Sequence, residues 1–269
     1  MNDYMAPEWQ RIFAFNGLRS FDDFWKLEAK WFEEPNQRRG GWSGVARCEL
    51  KLPEGGATRV FLKRQENHTT RTLFHPLRGM STFVREFQQI QRYRAHGIPS
   101  LTPLYFASRR QERNLRAILL TEELSGYRSL EQLSHEWRAM PAATRRAIIS
   151  AAAQLMAQIH GHGLTHNCFY PKHVFLQIQS PKEVRARVID LEKTKHRLFG
   201  RDRNFRDMRR LNSPIWSRTE RVRFFREYLG LSRLTPEAKQ KWRRIAQRQL
   251  QKHPEDASLF QRPAGASPG

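Results

Sequence analysis

The apolar positions of this chain change their period midway, and that change restricts what it can fold into. Ala46, Cys48, Leu50 and Leu52 alternate with Arg47, Glu49 and Lys51, the pattern of a half-buried strand. "PEGG" (53–56) turns the chain and "TRVFLK" (58–63) returns it, so 45–63 predicts a hairpin. Much later, Ile148, Ala152, Leu155 and Ile159 recur at i, i+4, i+7 and i+11, one face of a helix laid on a core. Between these landmarks, Ser20 followed by "FDDFWKLEAKWFEE" predicts an N-capped helix over 21–34 with acids in its first turn. "GGWSG" (40–44) breaks the chain, and "MSTFVREFQQIQRYRAH" predicts a helix over 80–96, stopped by Gly97 and Pro99. "LTPLYFAS" and "RAILLTEEL" read as two more strands. From about 141 the pattern is helical to about 252, interrupted by the short strands "HVFLQI" and "ARVID". Strands first and helices later predict an α+β fold of two lobes. A small strand-rich lobe spans 1–122, a larger and mainly helical one spans 123–255, and 256–269 is expected to be a disordered tail.

Composition narrows the setting. A chain of 269 residues with 39% hydrophobic residues and 17 Phe can bury a substantial core. The N-terminal "MNDYMAPEWQ" does not read as a secretory signal. No apolar run approaches the roughly 20 residues that span a bilayer. Cys48 and Cys168 are too few for a disulfide framework, so a reducing, cytoplasmic location is expected. Charge is the outlier: 48 Lys and Arg against 26 Asp and Glu give +22. From Lys195 to Lys252 there are 18 basic residues against 5 acidic ones. Such a field attracts phosphate-rich partners: an anionic membrane face, a phosphorylated glycolipid or nucleic acid.

Four features stand in a telling order. Gly41 and Gly44 precede a strand, where bare backbone can approach phosphates. Lys63 ends the following strand, and Glu86 lies on the next helix. Then comes "HNCFYPKHVFL" (166–176), with His166, Cys168 and His173, and finally "VID", in which Asp190 ends a short strand 22 positions beyond Cys168. Protein kinases place a phosphate-binding lysine, its glutamate partner, a catalytic loop and a metal-binding aspartate in this sequence.

The set resembles the bacterial lipopolysaccharide core kinases, the WaaP/InaA-like group of the kinase superfamily. Their catalytic loop reads roughly H-x-D-x-x-x-x-H-x-[FL]-L and their metal strand I-D-L, against "HNCFYPKHVFL" and "IDL" (189–191) here. The likeness runs from about Phe21 to about Leu229. It implies a protein-kinase-like two-lobed fold and ATP-dependent phosphorylation of a sugar, a heptose, in the lipopolysaccharide core. It also implies a seat at the cytoplasmic face of the inner membrane, with the core glycolipid and the anionic membrane surface as partners and no specific nucleic acid. Gly41, Gly44, Lys63 and Glu86 would bind the nucleotide. Asp190 and His173 would bind magnesium, or manganese, which tolerates nitrogen better. His166 and Cys168 take the catalytic positions, but Cys168 stands where the family has Asp.

A thiol with an ordinary pKa of about 8.5 is a poor proton acceptor beside a carboxylate. No acid lies between Glu136 and Glu183 to replace it. Three rivals follow: a pseudokinase scaffold or regulator, a cysteine nucleophile with a histidine base, and a basic nucleic-acid-binding protein, supported by charge alone.

Overall fold

A computed structural model describes residues 3–38, 40–72, 75–196, 207–208, 216–252 and 254. The expected tail, 256–269, lies outside them. The chain divides into two compact units, Met1–Ser125 with Asp190–Glu192, and Gly126–Ile189 with Lys193–Gly269.

The first unit is built on a six-stranded sheet. In chain order its strands are β1 (Tyr4–Met5), β2 (Lys30–Arg38), β3 (Gly41–Lys51) and β4 (Ala57–Glu66), then β7 (Pro103–Gln111) and β8 (Asn114–Glu122). Across the sheet they run β1-β7-β8-β4-β3-β2, every pair antiparallel. A separate hairpin joins β5 (Thr69–Thr72) to β6 (His75–Ser81). The alternating residues of 46–50 behave as their period requires: Ala46, Cys48 and Leu50 are buried. On that face α1 (Gln10–Phe15) and α2 (Phe21–Lys26) contribute Phe13 and Phe24 to the core. The Phe24 ring stacks on Tyr105 of β7 at 3.9 Å.

Ser20 caps α2 as expected, accepting from Asp23 N–H while the Asp23 carboxylate accepts from Ser20 N–H. The helix nevertheless stops at Lys26, and residues 30–34 of the predicted 21–34 helix belong to β2. Pro35 disfavours a helix there, and Trp31 and Phe32 suit a strand. The partner that decides the matter is β3. The Trp31 ring lies against Gly44, where any Cβ would stand 2.6 Å from it, and the Arg64 guanidinium covers it at 5.1 Å. "GGWSG" is correspondingly no break: the turn is at Gly40, and β3 already begins at Gly41.

α3 (Thr82–Ala95) is capped by Ser81 and ends before Gly97, whose φ of 64° closes the turn. The second unit opens with β9 (Arg128–Ser129), α4 (Leu130–Ser134) and the long α5 (Ala142–Gly161). Ile148, Ala152, Leu155 and Ile159 are all buried, as their spacing predicts. Next come β10 (Leu164–Thr165), the hairpin β11 (Val174–Ser180) and β12 (Glu183–Val188), and β13 (Lys195–His196), which pairs with β10. Helices α6 (Arg218–Tyr228) and α7 (Pro236–Lys252) complete it, with α5 packed on α6 and on the β11–β12 hairpin. The architecture is mixed α+β, strand-rich first and helical later. Among the described residues no helix is long and apolar enough to cross a membrane.

Candidate active site

In the first unit Lys63 occupies the middle of the sheet, between Val45 of β3 and Leu119 of β8. Its Nζ lies 2.5 Å from Glu86 Oε1 on α3, and Glu86 is nearly buried. A carboxylate in that setting is costly unless paired, so the pair holds each side chain in one place. Gln65, two residues on and therefore on the same face of β4, anchors the helix that carries Glu86. Gln65 Oε1 accepts from Thr82 Oγ1 at 2.7 Å and from Phe83 N–H at 3.0 Å, and its Nε2 donates to His68 O at 2.6 Å. The sequence reading missed Gln65, although its i+2 spacing from Lys63 was a usable signal.

Gly41 and Gly44 both sit where backbone or ring atoms crowd in. A Cβ on Gly41 would stand 2.1 Å from Glu66 O, so close strand approach already demands glycine there, as Trp31 demands it at Gly44. Asp190, grouped with the first unit, has φ 60°, a left-handed conformation that Asp tolerates better than most residues.

The loop of the second unit is a closed set of hydrogen bonds. His166 Nδ1 accepts from Cys168 N–H at 3.1 Å, which places the proton on Nε2, and Nε2 donates to Ile189 O at 3.0 Å. His166 is fully buried, with its ring edge-on to Phe169. This geometry makes it a loop-holding residue. Cys168 O accepts twice, from Tyr170 N–H at 2.7 Å and from His173 Nδ1–H at 2.8 Å. A neutral His173 therefore carries its lone pair on Nε2, the form in which imidazole ligates a cation. His173 O also accepts from Ile189 N–H at 3.0 Å, so the two histidines fix the backbone of the residue before Asp190.

Beneath the loop stands an acid that sequence reasoning did not find. Asp207 is fully buried and accepts from His166 N–H at 2.8 Å, Asn167 N–H at 2.7 Å and His160 Nε2–H at 3.1 Å. His160 Nδ1 lies 3.0 Å from the Tyr228 hydroxyl, tying α5 and α6 into the same network. Asn167 adopts φ 64° and donates from Nδ2 to Thr165 O and Lys193 O. Asp207 offered no local signal: it is one acid in a strongly basic stretch, more than 30 residues from the loop it holds.

Both thiols are buried. Burial pushes Cys48 up to about 11, so it stays protonated at neutral pH. Cys168 is only 2% exposed, which leaves little room for a substrate carbonyl to reach its sulfur and weighs against the nucleophile reading. Among the described residues no three or more His, Cys, Asp or Glu side chains come together in a way that could hold a metal.

The first unit thus holds a Lys63–Glu86 pair between sheet and helix, and the second a histidine loop bonded to Ile189, the residue before Asp190. Residues 22–228 match the lipopolysaccharide kinase (Kdo/WaaP) family. Protein InaA of Escherichia coli K12 is 30% identical over 208 residues, 72% of this chain and 89% of InaA. The lipopolysaccharide core heptose(I) kinase WaaP of Pseudomonas aeruginosa is 29% identical over 119 residues, 42% of this chain and 44% of that one. The Escherichia coli WaaP is 24% identical over 193 residues, covering 68% and 69% of the two chains. A solved structure of WaaP in complex with acyl carrier protein superposes with a TM-score of 0.68 at 22% identity, covering 97% of this chain and all of that one, which identifies the fold. By the extent of the family match over residues 22–228 and of the likeness to InaA, this chain belongs to the lipopolysaccharide kinase (Kdo/WaaP) family of phosphotransferases.

Proposed function

We propose that this protein phosphorylates a sugar, a heptose, of the lipopolysaccharide core with ATP, working at the cytoplasmic face of the inner membrane. The observation that carries the proposal is the Lys63–Glu86 pair at 2.5 Å. In kinases such a pair presents the ammonium to the nucleotide phosphates. Asp190, through carboxylate oxygen, and His173, through Nε2, are the residues that would hold a magnesium or manganese ion. Such an ion would neutralise phosphate charge. Magnesium commonly takes one or two protein carboxylates and completes its shell with water and phosphate oxygens, so a sparse protein donor set fits a metal that arrives with ATP.

The remaining contribution of the loop is position. His166, Asn167 and Asp207 hold the backbone of Cys168, and the sugar hydroxyl would be aimed from there. Phosphoryl transfer through a loose transition state depends on alignment and charge stabilisation more than on a strong base. A thiol at 168 is compatible with turnover, at a rate lowered by the missing carboxylate. The surplus of basic residues between Lys195 and Lys252 supports the membrane address, because each well-placed cation gains about 1 kcal/mol at an anionic surface.

A second reading, a pseudokinase that binds nucleotide without turnover, is favoured by one observation: the buried thiol of Cys168 where the family has Asp. The relatives leave both open, since two are named as heptose kinases and InaA carries no reaction in its name. Incubating the protein with γ-labelled ATP and isolated core lipopolysaccharide distinguishes them. Label on the glycolipid that disappears with Lys63→Met is the expected result; ATP binding with no transfer to any core acceptor would establish the pseudokinase instead.

A further inference from the structure

On the second unit, a groove of about 320 Å³ lies between the start of α5 and α6, and four arginines line it: Arg145, Arg146, Arg223 and Arg226. Ser217 and Thr219 also line it, their hydroxyls 3.1 Å apart. Like charges this close oppose folding unless something offsets them. The acids at hand are partly committed elsewhere. Glu220 accepts from Ser217 N–H at 2.8 Å in the α6 cap and from Trp137 Nε1–H at 3.2 Å. Its contact with Arg145 Nε, at 3.4 Å, lacks hydrogen-bond geometry. Glu227 meets Arg226 at 3.3 Å and Arg223 at 3.7 Å while also accepting from Ser150 Oγ–H. Two carboxylates thus contact Arg145, Arg223 and Arg226, at 3.3–3.7 Å. Arg145 Nε and Arg226 Nε are buried with no hydrogen-bond partner among the described residues. An anion in the groove would offset the mutual repulsion of the four guanidinium groups through charge-assisted hydrogen bonds.

We infer that this groove is a second anion site, which takes a phosphate monoester. Arginine forks match phosphate oxygens pairwise, and the volume suits a sugar phosphate better than a bare ion. The site is distinct from the histidine loop. Arg145 and Arg146 lie in the first turns of α5 and the loop follows its last turn, about 23 Å further along the helix axis at 1.5 Å per residue. Its role rests on the kinase reading: the groove would grip a phosphate already present on the acceptor glycolipid, away from the hydroxyl that reacts. The binding itself does not rest on that reading.

The test uses the full-length protein and calorimetric titration. Glucose 1-phosphate, inorganic phosphate and glucose are compared, alongside phosphatidic acid and phosphatidylglycerol vesicles. The Lys63→Met background removes phosphate binding at the nucleotide site. The sugar phosphate is expected to bind more tightly than inorganic phosphate, with glucose silent, and Arg146→Ala/Arg223→Ala to weaken it at least tenfold. Thr219→Glu gives an independent check: a carboxylate in the first turn of α6 favours that helix yet repels the anion, so it should abolish binding without lowering Tm. Phosphatidic acid binding above phosphatidylglycerol would assign the same chemistry to a lipid headgroup. Unchanged affinity in both variants, or equal binding of the two lipids with no sugar phosphate bound, overturns the inference. ATP binding by the wild type, titrated separately, bears on the kinase reading alone.

Discussion

The two units carry their chemistry differently. In the first, the charged pair Lys63–Glu86 is complete, with the helix bearing the acid anchored to the strand bearing the base through Gln65. In the second, the loop of residues 166–173 is just as firmly built, and its central side chain is a buried thiol. The acid that the loop does have, Asp207, serves its backbone. Loop architecture and loop chemistry are therefore separable. Hydrogen bonds to main-chain groups keep the loop's shape whatever side chain stands at 168.

Replacing the thiol should change the most. Cys168→Asp is predicted to raise the transfer rate by roughly 10²–10⁴, the usual contribution of a general base, while Cys168→Ala leaves it nearly unchanged. Initial rates with labelled ATP check both. A dead wild type that stays dead with Asp would assign the second unit to a scaffold; a Cys168→Ala variant that loses a measurable wild-type rate would restore the nucleophile.

Asp207→Ala leaves the N–H groups of His166 and Asn167 without their buried acceptor. At about 1–3 kcal/mol each, the expected loss is about 3 kcal/mol, read from the urea midpoint. A variant as stable as the wild type would mean that water replaces the carboxylate and that the loop is less closed than its geometry suggests.

Lys63→Met strands a nearly buried Glu86. Since Lys63 keeps some exposure, the cost should fall toward the low end for a broken buried pair, about 3 kcal/mol, with ATP affinity down at least tenfold. Adding Glu86→Gln should recover most of the stability and none of the affinity. Recovery of both would show that the pair serves only the fold of the first unit.

The smallest effect concerns Asn167 at φ 64°. Asn167→Ala is expected to cost about 1–2 kcal/mol from left-handed strain together with its side-chain bonds to Thr165 O and Lys193 O. Asn167→Gly loses those bonds without the strain and should unfold at a higher temperature than the Ala variant.

Much of the scaffold was legible because its causes are local. The period-2 residues Ala46, Cys48 and Leu50 and the helical stripe Ile148, Ala152, Leu155 and Ile159 point where their spacing sends them, and all are buried. The cap at Ser20 and the stop at Gly97 were equally readable. The order of Lys63, Glu86, the histidine loop and Asp190 needed no structure to notice.

Other features were decided by partners distant in sequence. Residues 30–34 read as helix because their acids and aromatics fit one locally; they are strand because Trp31 has a seat on Gly44 under Arg64. Gln65 reads as a surface amide until α3 is placed beside β4. Asp207 lies 39 positions beyond Cys168, and no spacing rule connects them. By itself the sequence determined the secondary periods and the make-up of the 166–176 loop, with a thiol at 168, since each is written in neighbouring residues. Only the tertiary structure decided which acid holds the loop, which glycines are packing requirements and where four arginines converge. Each of those is a nonlocal contact, set when the chain satisfies its buried polar groups and fills its core.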